Sequence, residues 1–223
     1  MRRVLMLILL STAATLGAAT DPPAPVVRTV EVHAGLPALE VRIIPTSTDP
    51  AAQLPHTIGW VKFFRPGEPK PFQTIEVQGY NGLRNLPFSR FEDVNFDGYT
   101  DLLLGNDGGA KWGGYEIHLY DPRSGAFVQT PLSREMSEQL QGSELLFHDA
   151  TREIEVSHLV AGCPEKIPVV ETYVLAGDHL RRTGLEDLVR KAEGCYQVTR
   201  EVLADGSSRE VSRERAPDRD GDE

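Results

Sequence analysis

The segment FEDVNFDGYTD, residues 91–101, places Asp93, Asn95, Asp97 and Asp101 at alternating positions, with Gly98 after the third. In a tight calcium loop, side-chain oxygens at positions 1, 3 and 5 face one centre. A glycine at position 6 permits the reversal, and position 7 offers its carbonyl. Those places are Asp93, Asn95, Asp97, Gly98 and Tyr99, and Asp101 at position 9 adds a third carboxylate. Three neighbouring carboxylates repel one another, so the pattern points to a hard cation. An oxygen-only donor set favours Ca²⁺ over Zn²⁺ or Cu²⁺. The expected ligands are Asp93, Asn95, Asp97, Tyr99 (through its carbonyl) and Asp101. The alternative is an Asx-rich turn that holds no metal. Position 12 is Leu104, where an EF-hand needs a bidentate glutamate, so the loop is expected to join strands, not helices.

Other reactive residues form no comparable group. His33, His56, His118, His148, His158 and His179 are scattered, with no H-x-H or H-E-x-x-H spacing that would seed a zinc site. No G-x-S-x-G elbow, phosphate loop or dinucleotide fingerprint is present, and the chain is expected not to be an enzyme. Cys163 and Cys195 are the two cysteines, and in an exported protein such a pair reads as one disulfide. The glycine-rich GNDGGAKWGGY, residues 105–115, has two readings. It is a long loop beside the metal segment, or it is a projecting recognition loop anchored by Trp112 and Tyr115, the residue types that dominate binding hot spots.

The elements that must position these residues read as strands. Residues 29–32, 39–44, 58–64, 72–77, 102–105, 115–120, 127–130, 145–147, 152–158, 169–175 and 196–202 alternate or cluster β-formers between turn signals. IGWVKFF carries bulk on both faces and reads as a central strand. DPRSG, residues 121–125, is a turn in which Asp caps, Pro sets φ and Gly accepts a positive φ. Residues 131–141 read as a short helix with Ser133 as N-cap, and 185–191 fit a helical turn or a strand. The expected fold is all-β with one or two short helices: a propeller-like or sandwich-like array of antiparallel strands with an inserted Ca²⁺ loop.

The chain has 223 residues and a net charge of −10. Residues 1–19 show a basic n-region at Arg2 and Arg3, a short apolar core and small residues before the cleavage region, the layout of a signal peptide. Residues 20–27 read as a flexible, proline-rich leader, 28–203 as one β-rich domain, and 204–223 as a disordered acidic tail. No further apolar run is long enough to span a membrane. The acidic balance argues against nucleic acid and suits a cationic protein partner. Export places the chain in the periplasm, or alternatively outside the cell.

FEDVNFDGYTDLLLG resembles the calcium loop of FG-GAP and VCBS repeats, in which such a loop joins strands of a propeller blade. Residues 91–128 resemble a narrower group of exported bacterial proteins with a DVNFDGY-like loop, a glycine-rich segment and an LYDP-like turn. The matching pieces here are residues 93–101, 106–114 and 115–122. Members of that group include calcium-bound, propeller-like lysozyme inhibitors that serve as immunity proteins of antibacterial type IV secretion systems. The resemblance implies a protein partner, a lysozyme-like peptidoglycan hydrolase. In such a complex Lys111 or the Tyr115 hydroxyl would meet the carboxylates of the enzyme's cleft. The second expectation is a calcium-stabilised binding or adhesion module for another protein or glycan.

Overall fold

A computed structural model describes residues 24–45, 56–79, 89–107, 113–142, 144–161, 166–191 and 193–216. The signal peptide, the start of the leader, Lys111, Trp112, Cys163 and the last seven residues lie outside them. Among the described residues the fold is all-β, with one helix and three antiparallel sheets.

Each sheet is a meander of strands consecutive in the chain. The first holds β1 (Val26–Val30), β2 (Leu39–Pro45), β3 (His56–Phe64) and β4 (Gln73–Gly79). The second holds β5 (Arg90–Glu92), β6 (Asp101–Asp107), β7 (Gly113–Asp121) and β8 (Ala126–Val128). After α1 (Pro131–Gln139), the third holds β9 (Glu144–His148), β10 (Glu153–Ala161), β11 (Lys166–Ala176), β12 (His179–Lys191), β13 (Gly194–Val202) and β14 (Ser208–Arg215).

The second sheet is the middle layer, which explains why β6 begins Leu102-Leu103-Leu104 after its acid. Successive strand side chains point to opposite faces. Leu102, Leu104 and Tyr120 join Val41, Ile43, Val61, Phe63, Ile75 and Val77 of the first sheet in one core. Leu103, Ile117 and Leu119 face the other way, into a core with Met136 and Leu140 of the helix and Leu145, Ile154 and Val156 of the third sheet. A strand buried on both faces cannot alternate apolar and polar residues. β3 lies between β2 and β4, as its bulk suggests, with Val61 and Phe63 wholly buried.

Side chains stitch the layers where backbone pairing stops. The Gln73 amide acts as a peptide group toward β8: its Nε2 donates to Phe127 O at 2.6 Å, and its Oε1 accepts from Phe127 N at 2.9 Å. Arg28 Nη1 donates to Ser89 O at 3.0 Å, which ties the first sheet to the start of the second. The DPRSG turn forms as its residues dictate: Asp121 Oδ1 accepts from Arg123 N, Oδ2 accepts from the Ser124 hydroxyl, and Gly125 has φ of +66°.

The structure settles one open reading, that of residues 185–191, and differs from the sequence expectation in three places, the first being that Val26 and Val27 of the expected leader already belong to β1. The helix N-cap is Thr130, not Ser133. Ser133 sits at N3, where its hydroxyl accepts from Thr130 N while Thr130 Oγ1 accepts from Ser133 N. This reciprocal capping box uses a serine where glutamate is usual. Residues 185–191 are strand, the second half of β12. The tail expected to lack structure from residue 204 forms β14, paired with β13 through the 202–208 hairpin. Asp205 orders that turn by accepting from Ser207 N. β14 is exposed along its whole length, so the ladder and pairs such as Arg209–Glu201 hold it, not burial.

Candidate metal centre

Residues 93–100 connect antiparallel β5 and β6, so the acidic segment is a strand-joining loop. Its alternation has a structural cause. Val94 is wholly buried and Phe96 is half-buried against the second core. These two inward side chains leave Asp93, Asn95 and Asp97 on the other side of the loop path. Gly98 has φ of +89° and Phe96 of +57°, so positions 4 and 6 both take the left-handed turn that wraps a short loop around a centre. For Phe96 that conformation costs roughly 1–2 kcal/mol.

The three outward side chains organise one another. Asp93 Oδ1 accepts from Asp97 N at 3.1 Å and Oδ2 from Gly98 N at 2.8 Å. Asn95 Oδ1 also accepts from Asp97 N, at 3.2 Å, and Asn95 Nδ2 donates to Asp97 Oδ2 at 2.9 Å. Asp97 Oδ1 accepts from Tyr99 N at 2.9 Å. Burial raises the Asp93 pKa above its ordinary value, against the lowering effect of the Gly98 and Asp97 N–H groups; the Asp97 charge raises it further.

Asp101 has a second role that spacing alone does not show. Its side chain is wholly buried, Oδ2 accepting from Val94 N at 3.0 Å and Oδ1 from Tyr120 N at 2.8 Å. It clamps the loop's first turn to β7. Burial pushes its pKa to about 7, partly offset by those two N–H groups and reinforced by the charges of Asp97 and Asp93. Among the described residues no three His, Cys, Asp or Glu side chains converge as a metal cluster by themselves. A cation here needs the Asn95 amide oxygen and the Tyr99 carbonyl as well as the carboxylates. With those included, the set is all hard oxygen, and its chemistry and loop path fit Ca²⁺.

The loop touches all three sheets. Thr100 N donates to Val32 O at 2.8 Å and Thr100 Oγ1 to Glu31 O at 3.1 Å, both just beyond β1. The Tyr99 ring stacks between His33 and Tyr120, with centroids 4.8 and 5.6 Å away. Arg152, in the β9–β10 turn, donates from Nη2 to Phe96 O at 3.2 Å. Sequence reasoning missed Thr100, His33 and Arg152. A threonine in D-G-Y-T-D is the only one near enough in sequence to have been found.

Of the expected partner-binding residues, Lys111 and Trp112 lie outside the described residues. Tyr115 is half-buried and packs against the second core, lining a recess with Glu116, Gln129 and Arg134. His118 is buried, its Nε2 2.8 Å from Glu116 Oε1. Cys195 is buried, and Cys163 lies outside the described residues. Among the described residues no helix is long and apolar enough to cross a membrane.

No family model and no curated protein matches the chain. A solved chain described as "Structure of a Xanthomonas Type IV Secretion System related protein" aligns over 85% of this chain and 100% of that one, at 16% identity and a TM-score of 0.49. That likeness is too distant to bear on what either protein does.

Proposed function

We propose that this is an exported calcium-binding β-protein that works by binding, not by catalysis, and that its partner is a peptidoglycan hydrolase which it inhibits in the periplasm. One observation carries the calcium reading: the Asp93 carboxylate gathers Asp97 N and Gly98 N while Phe96 and Gly98 both adopt positive φ. That is the wrapped loop a cation site requires, with Asp93, Asn95, Asp97, the Tyr99 carbonyl and Asp101 as its oxygens. The ion would neutralise charges that otherwise repel. The chain's own residues do the rest: Thr100 and Arg152 brace the loop against its neighbours, and Asp101 ties it to β7.

The inhibitor reading is supported by the resemblance of residues 91–128 and by the acidic surface, which would steer the protein toward a cationic lysozyme. The recognition segment on this reading is the glycine-rich stretch with Lys111, Trp112 and Tyr115. A turbidity assay tests it. Lysis of cell-wall suspensions by lysozyme-type hydrolases should fall when the protein is added, and Trp112→Ala should relieve that inhibition. Undiminished lysis by every hydrolase tried would instead favour a calcium-stabilised module for another protein or glycan. A Cys163–Cys195 bridge belongs to the same reading, and two alkylatable thiols in the exported protein would exclude it.

A further inference from the structure

A cavity of 490 Å³ opens beside the metal loop, where four segments meet: the loop at Asn95, the first turn of α1 at Leu132, the β9–β10 turn at Thr151 and Arg152, and the end of β11 at Val174 and Leu175. Its floor is aliphatic. Leu132, Val174 and Leu175 are each half-buried, and Leu132 and Leu175 rest on the second core. Thr151 and Arg152, both exposed, add polar groups to its lining. Ligand sites combine an apolar lining with a few placed polar groups, and 490 Å³ is within their usual range.

Arg152 is an unusual choice for its position. It closes a tight turn through Arg152 N to His148 O, 2.7 Å, with φ of +57°. Glycine or asparagine would hold that conformation with less strain. A strained non-glycine residue in a turn is a pointer to a side-chain role. The guanidinium is oriented by one donation to Phe96 O, which leaves N–H groups of its fork for another acceptor. Asp149 of the same turn and Glu153 beside it are the nearest acids along the chain, and among the described residues no carboxylate forms an ion pair with the guanidinium.

We propose that this cavity receives an aliphatic residue of a protein partner, with the carboxylate beside that residue held by Arg152. A planar guanidinium matches a carboxylate in a paired, charge-assisted geometry. The aliphatic lining of Leu132, Val174 and Leu175 suits a branched aliphatic side chain, and the exposed turns at Thr151 and Gly177 leave room for a peptide backbone to pass. The proposal stands whether or not the partner is a hydrolase.

The test is an amide NMR titration of the folded protein with N-acetyl-leucyl-leucine, its C-terminal amide, and octanoate. The acid should give saturable shifts centred on Thr151, Arg152 and Gly177. The amide should bind about tenfold more weakly, as should the acid on Arg152→Gln protein, because one charge-assisted pair is lost. Three results would overturn the proposal: no saturable shift with the acid, equal binding of acid and amide, or octanoate binding more tightly than the peptide. The acid-against-amide comparison uses unaltered protein, so it decides the matter even where Arg152→Gln is unstable.

Discussion

The Arg152 guanidinium donates to the Phe96 carbonyl at 3.2 Å and lies 6.0 Å from the centre of the Phe96 ring. Both residues have φ of 57°, and they are the two non-glycine residues with positive φ among those described. Two strained backbones, 56 residues apart in sequence, thus meet at the junction of the acidic loop and the third sheet. Comparing Arg152→Gly with Arg152→Ala separates strain from contact. Both variants lose the guanidinium, but only alanine keeps the backbone penalty. The glycine variant should be more stable by about 1 kcal/mol in chemical denaturation. Equal stability, or a more stable alanine variant, would mean the turn is not strained.

Asp101 should govern the pH dependence of the calcium-free protein. Its folded pKa is about 7 against an ordinary 3.8, because burial favours the neutral acid. The folded state therefore holds more protons between those values. Stability contributed by this group is greatest below pH 3.8, falls as pH rises toward 7, and is level above it. Asp101→Asn removes that slope. It also leaves Val94 N or Tyr120 N facing an amide NH₂, at a cost of about 1–3 kcal/mol. Urea midpoints in EDTA across that range should show wild-type and variant curves converging as pH rises. Parallel curves would refute the assignment.

The Thr130–Ser133 box should behave as one unit. Thr130→Ala and Ser133→Ala are each expected to cost about 1 kcal/mol, because each orphans a helix N–H. The double variant should cost less than the two losses combined, since either change alone breaks part of the reciprocal pair. Full additivity in urea denaturation would show that the two bonds act separately. α1 carries Met136 and Leu140 into the second core, so its fraying would be felt there too.

Hydrogen exchange should rank the strands by burial. β14 is exposed throughout, whereas β3 carries the wholly buried Val61 and Phe63. Amides of β14 should exchange through local opening, long before those of β3 and β6. Protection of β14 as long-lived as that of β3 would mean that something covers this edge.

The sequence made much of this legible, for reasons of period. Strands with one buried face alternate, and nearly every such run became a strand. The loop was readable as a strand-joining turn because its Asp, Asn and Gly spacing is local, and the middle position of β6 was hinted at by three consecutive leucines. What escaped was either apolar-poor or distant. β14, with Arg and Glu where a buried strand has Val and Ile, is held by backbone pairing, which leaves no composition signal. The cap was misplaced by one turn because Thr130 and Ser133 are both good N-caps, and only reciprocal geometry separates them. The inward turn of Asp101 depends on Tyr120, nineteen residues away, and the approach of Arg152 to Phe96 is a product of layer packing that no local pattern encodes.

The central claim is that residues 93–101 hold Ca²⁺, and calorimetric titration of the metal-free protein paired with thermal unfolding tests it most directly. Binding should be saturable, and Ca²⁺ at about one hundred times its Kd should add about 2.7 kcal/mol of stability, raising Tm by roughly 5–10 °C. Asp97→Ala, which removes an exposed carboxylate, should fold but lose both effects. No heat at millimolar Ca²⁺ together with an unchanged Tm would contradict the account and leave the segment as an Asx-rich turn.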